Sequence, residues 1–232
     1  AAVQILLECC LPTEAEKMKD DGFLTDLREV QTLVCTHLHQ VFISDPNLVR
    51  LVHFQGYPSE LLPVSVSLIP SMHICLDFIP ELLSQPHLEK QVFAIELASY
   101  LCLQYSIAKS LSIARLCVNV THTLLGVLPS YQRPLLFLPA LPALVRMCRA
   151  FPPLAEDVAV LLLQLGRVCL SQECTAAPPQ LGFSANQLEK CTASMDSQGL
   201  LERLPTNSAL CRAIRKSFAD LCDSAVLNRT IY

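Results

Sequence analysis

The chain has 232 residues, a net charge of −4, 52% hydrophobic residues and 16% charged ones. That length allows one large domain or two small ones, and the charge lacks the basic footprint of a duplex-binding domain. Six glycines beside sixteen prolines leave too little glycine for a phosphate-cradling loop and make proline the main punctuation.

The opening AAVQILLECCLP has neither a basic n-region nor an initiator Met, and no signal peptide is expected in it. It reads as the inside of a helix, and the chain is expected to be a piece of a longer protein. TEAEKMKDDG, Thr13–Gly22, is a short exposed helix or loop. Leu24, Leu27, Val30, Val34, Leu38 and Val41 then recur every three or four residues, which predicts a helix over 24–43 with those side chains on one face. Asp45-Pro46 offers an N-cap with proline at the first helical position, opening a helix through Phe54. Gly56-Tyr57-Pro58-Ser59 breaks the chain, and Ser59 caps a helix towards Ile69. The alternation of Val64–Ser67 lies inside that helical pattern and is not read as a strand.

Pro70-Ser71 starts a helix predicted over 71–83, and Gln85-Pro86 separates it from one over 87–105. A helix over 110–128 follows. Its Leu111, Ile113, Leu116, Val118, Val120, Leu124 and Leu125 surround the axis, so it is expected to be the most buried element, with Leu116 in the core. Pro134, Pro139 and Pro142 predict kinks or a short helix before Ala143–Ala150. Pro152-Pro153 opens a helix over 153–170, whose Glu156 and Asp157 suit the positive end of the helix dipole. From about Cys174 the period fails, which predicts a polar linker over 172–205. A last helix falls in 206–232, capped by Asn207 or Ser208, with Leu210, Ile214, Phe218, Leu221 and Val226 on one face.

The fold class is therefore all-α. Breaks at Pro70, Pro86, Lys109, Pro129 and Pro153 are roughly 16–24 residues apart, so a helix pair occupies about 40–45 residues, the HEAT/armadillo period. Residues 1–171 are expected to form an α-solenoid of stacked antiparallel helix pairs, each burying its faces against its neighbours.

Chemical motifs are few. Cys35-Thr-His-Leu-His39 holds good zinc ligands, but on a helix residues 35 and 39 share a face while His37 points away. No metal is expected there. The twelve cysteines contain no CxxC pair, and Cys75, Cys102, Cys117, Cys148 and Cys169 sit in apolar helical patterns as small hydrophobes. Free thiols and a reducing compartment follow. A Cys–His nucleophile lacks any glycine-rich elbow, and Asp20-Asp21 and Glu156-Asp157 are better read as helix-start charges. Arg212, Arg215 and Lys216, like Arg146 and Arg149, are read as solvated faces or ion-pair partners. The sequon at Asn228 is taken as chance. The longest apolar runs, Leu61–Leu76 and Leu116–Gln132, fall short of the ~20 residues a bilayer needs. No catalytic, cofactor-binding or metal residue is expected, and no partner-binding residue is assigned. The remaining signal is apolar surface, which points to an interface.

The runs IPSMHICLDFIPELLSQPHLEKQVFAIELASYLCLQY, KSLSIARLCVNV and LPALVRMCRAFPPLAEDVAVLLLQLGRVC resemble the C-terminal region of the Integrator complex subunit 2 family. The resemblance runs from about Tyr57 to Cys169 and is strongest at Ser71–Leu88 and Arg149–Asp157. Pro129–Leu138 and the segment after Cys174 depart from the pattern. The resemblance implies a non-catalytic helical scaffold of a nuclear assembly that cleaves nascent RNA polymerase II transcripts, including small nuclear RNA precursors. It implies other Integrator subunits as direct partners and RNA polymerase II as an indirect one, with no cofactor, no membrane and no direct nucleic-acid site. The competing expectation is an α-solenoid adaptor of another intracellular assembly, such as a vesicle coat or transport receptor.

Overall fold

The computed structural model describes residues 2–12, 21–176 and 207–229, and no strand occurs among them. Ten α-helices are described: α1 (Ala2–Glu8), α2 (Asp21–Ser44), α3 (Pro46–Gln55), α4 (Leu62–Leu68), α5 (Ile79–Leu83), α6 (Leu88–Gln104), α7 (Ala108–Val127), α8 (Arg133–Ala150), α9 (Ala155–Ala176) and α10 (Asn207–Arg229). Short 3-10 segments precede α4 and α9, and a longer one, Pro70–Asp77, precedes α5. Thr13–Asp20 and most of the expected linker, 177–205, lie outside the described residues; α9 itself runs past the expected boundary at 171.

Local chemistry sets most of the ends. Asp45 caps α3 by accepting from the backbone N–H groups of Asn47 and Leu48, with Pro46 at the first helical position. Gly56 closes the same helix at φ +77°, a region other residues rarely adopt. Ser59–Leu68 and Pro70–Asp77 meet at 117°, a corner set by Ile69, which is extended at φ −108°, ψ 101° as a residue before proline must be.

The expected helix over 71–83 is in fact two pieces. Pro70–Asp77 is 3-10, and α5 starts afresh after Phe78 at φ −115°, ψ 1°. Pro80 explains the interruption: it has no N–H to donate to Leu76 and disfavours helical geometry at Ile79.

The reverse correction applies to α8. Pro139 and Pro142 lie inside one continuous helix. An interior proline costs roughly 3 kcal/mol, while each large apolar side chain fully buried contributes about 1.5–3 kcal/mol. Leu136, Phe137, Leu141, Leu144, Val145 and Met147 are all buried here, so packing outweighs two lost hydrogen bonds.

Packing alternates. The most extensive pairing is α6 against α8, followed by α8 against α10 and α9 against α10; α7 also touches α9. The starts of α6 (Leu88, Glu89) and α8 (Tyr131, Gln132, Leu135) line one groove, so the two helices run the same way while α7 returns between them. This puts α8, not α7, at the centre. In α7 only Ser110, Ile113, Ala114, Cys117, Val118, Thr121 and Leu125 are buried, and Leu116 is half-buried against the core rather than inside it. α7 is long and apolar enough to cross a membrane, but in this fold it packs against α6, α8 and α9.

Two predicted faces shift. In α2 the buried line is Cys35, Leu38 and Phe42, while Leu24 and Val30 are exposed. In α10 Leu210 and Leu221 are buried as expected, yet Ser217 replaces Phe218 on the inner face; Val226's side chain lies outside the described residues.

Candidate functional site

Cys35 is buried and His37 exposed. His39 is half-buried, with Nδ1 unbonded. What Cys35 meets is Cys10, the thiol at the end of α1, with which it shares a hydrogen bond. Burial raises both thiols, Cys35 to about 12. Among the described residues no group of three or more His, Cys, Asp or Glu is placed to hold a metal ion.

A different cluster, one the sequence did not single out, gathers where α3, α4 and the 3-10 segment Pro70–Asp77 meet. His53 Nδ1 lies 2.7 Å from the Val49 carbonyl, which can only accept, so the proton sits on Nδ1 and Nε2 accepts. Tyr57 Oη is 3.2 Å from Nε2, and Cys75 Sγ is 3.6 Å from it. Tyr57 Oη also lies 3.2 Å from Ser65 Oγ, which donates to the Leu62 carbonyl. Ser65 donates to Leu62 and His53 to Val49, and the single acceptor site of Nε2 is shared by the hydroxyl of Tyr57 and the thiol of Cys75.

This is a Cys–His pair by composition but not an activated one. Desolvation lowers the His53 imidazole to about 4 and raises the Cys75 thiol strongly, so the proton stays on sulfur. Phe42, Phe78 and Phe93 surround the imidazole with ring centroids 5.8–6.4 Å away. The cluster joins three elements inside the core. No local motif could have revealed it, because Cys75 reaches His53 across a break of 22 positions.

The basic residues separate in the fold. Arg146 is half-buried: its Nε donates to Ser99 Oγ at 3.0 Å, and its guanidinium stacks 4.3 Å from the Tyr100 ring centroid. Beside it, burial raises the Glu96 carboxyl, while Arg146 and Ser59 oppose that shift. Arg149, Arg212, Arg215 and Lys216 are exposed. Exposed ion pairs join Arg50 to Glu81 and Lys109 to Asp77; such pairs contribute little to stability.

The largest concavity among those described is an open groove of about 1020 Å³ at the shared end of α6 and α8. Tyr57, Leu88, Val92, Phe93 and Leu135 are apolar side chains in its lining, and Glu89, Lys90 and Glu96 are charged ones. Further apolar side chains stand exposed on helix exteriors, Leu33, Val127 and Leu163 among them.

The described residues make an all-helical protein with an enclosed polar cluster and apolar side chains scattered over its surface. Over residues 1–174 it matches the family described as Integrator complex subunit 2. Relatives with that name are 56% identical over 202 aligned positions in Mus musculus and 55% over 202 in Homo sapiens. The Drosophila melanogaster relative is 45% identical over 172. These alignments cover 75%, 75% and 74% of this chain, but 17%, 17% and 16% of the relatives' own lengths. The chain belongs to the Integrator complex subunit 2 family. In this chain the match covers residues 1–174.

Proposed function

We propose that this chain is a non-catalytic helical scaffold of the Integrator complex, acting in the nucleus. It supports cleavage of RNA polymerase II transcripts and small nuclear RNA 3′-end processing through protein–protein contacts. In this reading the stacked helices are a HEAT-like solenoid spanning 1–171. The observation that carries it is the skipping of helices in the packing, α6 on α8 and α7 on α9, because a solenoid buries each helix against its second neighbour as well as its first. The relatives' shared name supports the assembly, and the protonated, enclosed Cys75–His53 pair supports a role without covalent chemistry.

The test is purification of the tagged protein from nuclear extract under mild salt, with quantitative mass spectrometry of what accompanies it. The expected outcome is stoichiometric recovery of other Integrator subunits. Recovery with vesicle-coat or transport-receptor components instead would overturn the reading in favour of another adaptor.

A further inference from the structure

Two buried thiols meet across the boundary between α1 and α2. Cys10 lies just past the end of α1 and Cys35 in the middle of α2; they are 0% and 2% exposed and share a hydrogen bond. The contact does not rest on the sulfurs alone. Gln31 stands one turn before Cys35 on the same face of α2, and its Nε2 donates to the Cys10 carbonyl at 2.9 Å. The backbone at Cys10 is therefore tied to the turn of α2 that carries Cys35.

A second observation gives access. Cys35 lines an open surface cavity of about 330 Å³ together with Arg28, Gln31, Thr32, Thr36 and Leu68. Arg28, Thr32, Thr36 and Leu68 are exposed, so a small solute reaches the mouth of this cavity from water. The sulfur at its end is nearly covered, which admits a molecule of about the size of water and keeps out a tripeptide thiol. α1 is lightly held besides: of its seven residues Leu7 is the buried one. A covalent tie at Cys10 would therefore add much to what fixes it.

We propose that Cys10 and Cys35 form a redox-closable bridge between α1 and α2, with hydrogen peroxide as its oxidant. Peroxide transfers one oxygen to Cys35 Sγ, giving a sulfenic acid and one water. Cys10 Sγ then attacks that sulfur: the S–S bond forms, the S–O bond breaks, and the hydroxyl leaves with the Cys10 proton as a second water. The two sulfurs lose two electrons in all, and both peroxide oxygens are reduced to water. A dithiol reverses the bridge by exchange. Burial raises both thiols, and peroxide attacks through the thiolate, so the bridge closes slowly and answers sustained exposure. The inference is independent of the scaffold role.

The test uses the whole chain, reduced and then held in hydrogen peroxide for hours. Remaining thiols are alkylated in denaturant, and peptides are mapped by mass spectrometry without reduction. The expected product links Cys10 to Cys35, while Cys117, fully buried, is recovered alkylated. The melting temperature should rise by several degrees and return with dithiothreitol. Cys35→Ala should lose both the link and the rise, and its melt before oxidation checks that it folds. Cys9→Ser, at an exposed position, should keep both. Cys35 still reduced when exposed Cys222 is fully oxidised would overturn the proposal, as would a link from Cys9 in place of Cys10. A Cys10–Cys35 link that leaves the melting temperature unchanged would show that α1 was already fixed, and would end the switch.

Discussion

His53 shows how burial alone sets a side chain's behaviour. Its imidazole titrates near 6.5 when unfolded and near 4 in the fold. Above pH 6.5 it is neutral in both states, so its full contribution is present. Between 6.5 and about 4 only the unfolded chain takes up the proton, so stability falls as the pH falls through that window. A 2.5-unit difference corresponds to a loss of order 3 kcal/mol at ~1.4 kcal/mol per unit. Urea melts at pH 7 and pH 4.5 should show it, and His53→Asn, uncharged at both, should lose that slope. The thiols divide in the same way. Cys9 and Cys222 are exposed, while Cys75, Cys102, Cys117 and Cys148 are buried with raised thiols. Brief iodoacetamide treatment of native protein should label Cys9 and Cys222 and spare those four; rapid labelling of Cys117 would show that the core opens readily. The sequence placed these buried cysteines correctly because an apolar helical pattern is local. It could not place Cys75 against His53, since that contact needs Ile69 and Pro70 to turn the chain back.

At the scale of elements the contrast is α7 against α8. α7 has the more continuous apolar composition and α8 the prolines, so local pattern favours the wrong helix as the centre. Burial follows the extent of packing, and α8 packs more extensively on α6 and on α10 than α7 does on any of its neighbours. Leu144, fully buried in α8, should therefore cost about 2–5 kcal/mol when changed to Ala. Leu116, half-buried in α7, should cost less than that range, because part of its surface already meets solvent. Equal losses in denaturant melts would mean the two helices are equally central. Arg167→Ala, on the exposed side of α9, should change the stability of the chain alone by no more than about 0.5 kcal/mol. A larger loss in the same melts would place its stem in the core.

For the whole molecule, α10 is the decisive part. It lies far along the chain from α8, yet packs on α8 and α9 much as α8 packs on α6. Leu210 is fully buried and Leu221 nearly so. Removing residues 207–232 should uncover apolar side chains of α8 and α9, lower the melting temperature by several degrees and raise binding of a hydrophobic dye. An unchanged melt would show that α10 rests on the body without supporting it.

What the amino-acid sequence determined by itself is the helical class, most helix limits and the identity of the buried thiols. Each depends on residues within one or two turns of each other: apolar spacing, Asp45 as a cap, and proline at a corner. The three-dimensional structure decided what depends on neighbours distant in the chain. It carried α8 through two prolines because packing on several sides outweighs two lost hydrogen bonds. It turned Leu24 and Val30 outward, and it closed the His53–Cys75 cluster. It also left Val160, Leu163 and Leu170 of α9 uncovered. A helix apolar on two faces has the same sequence whether one face or both are covered, so only the arrangement of the other helices could show which face was free.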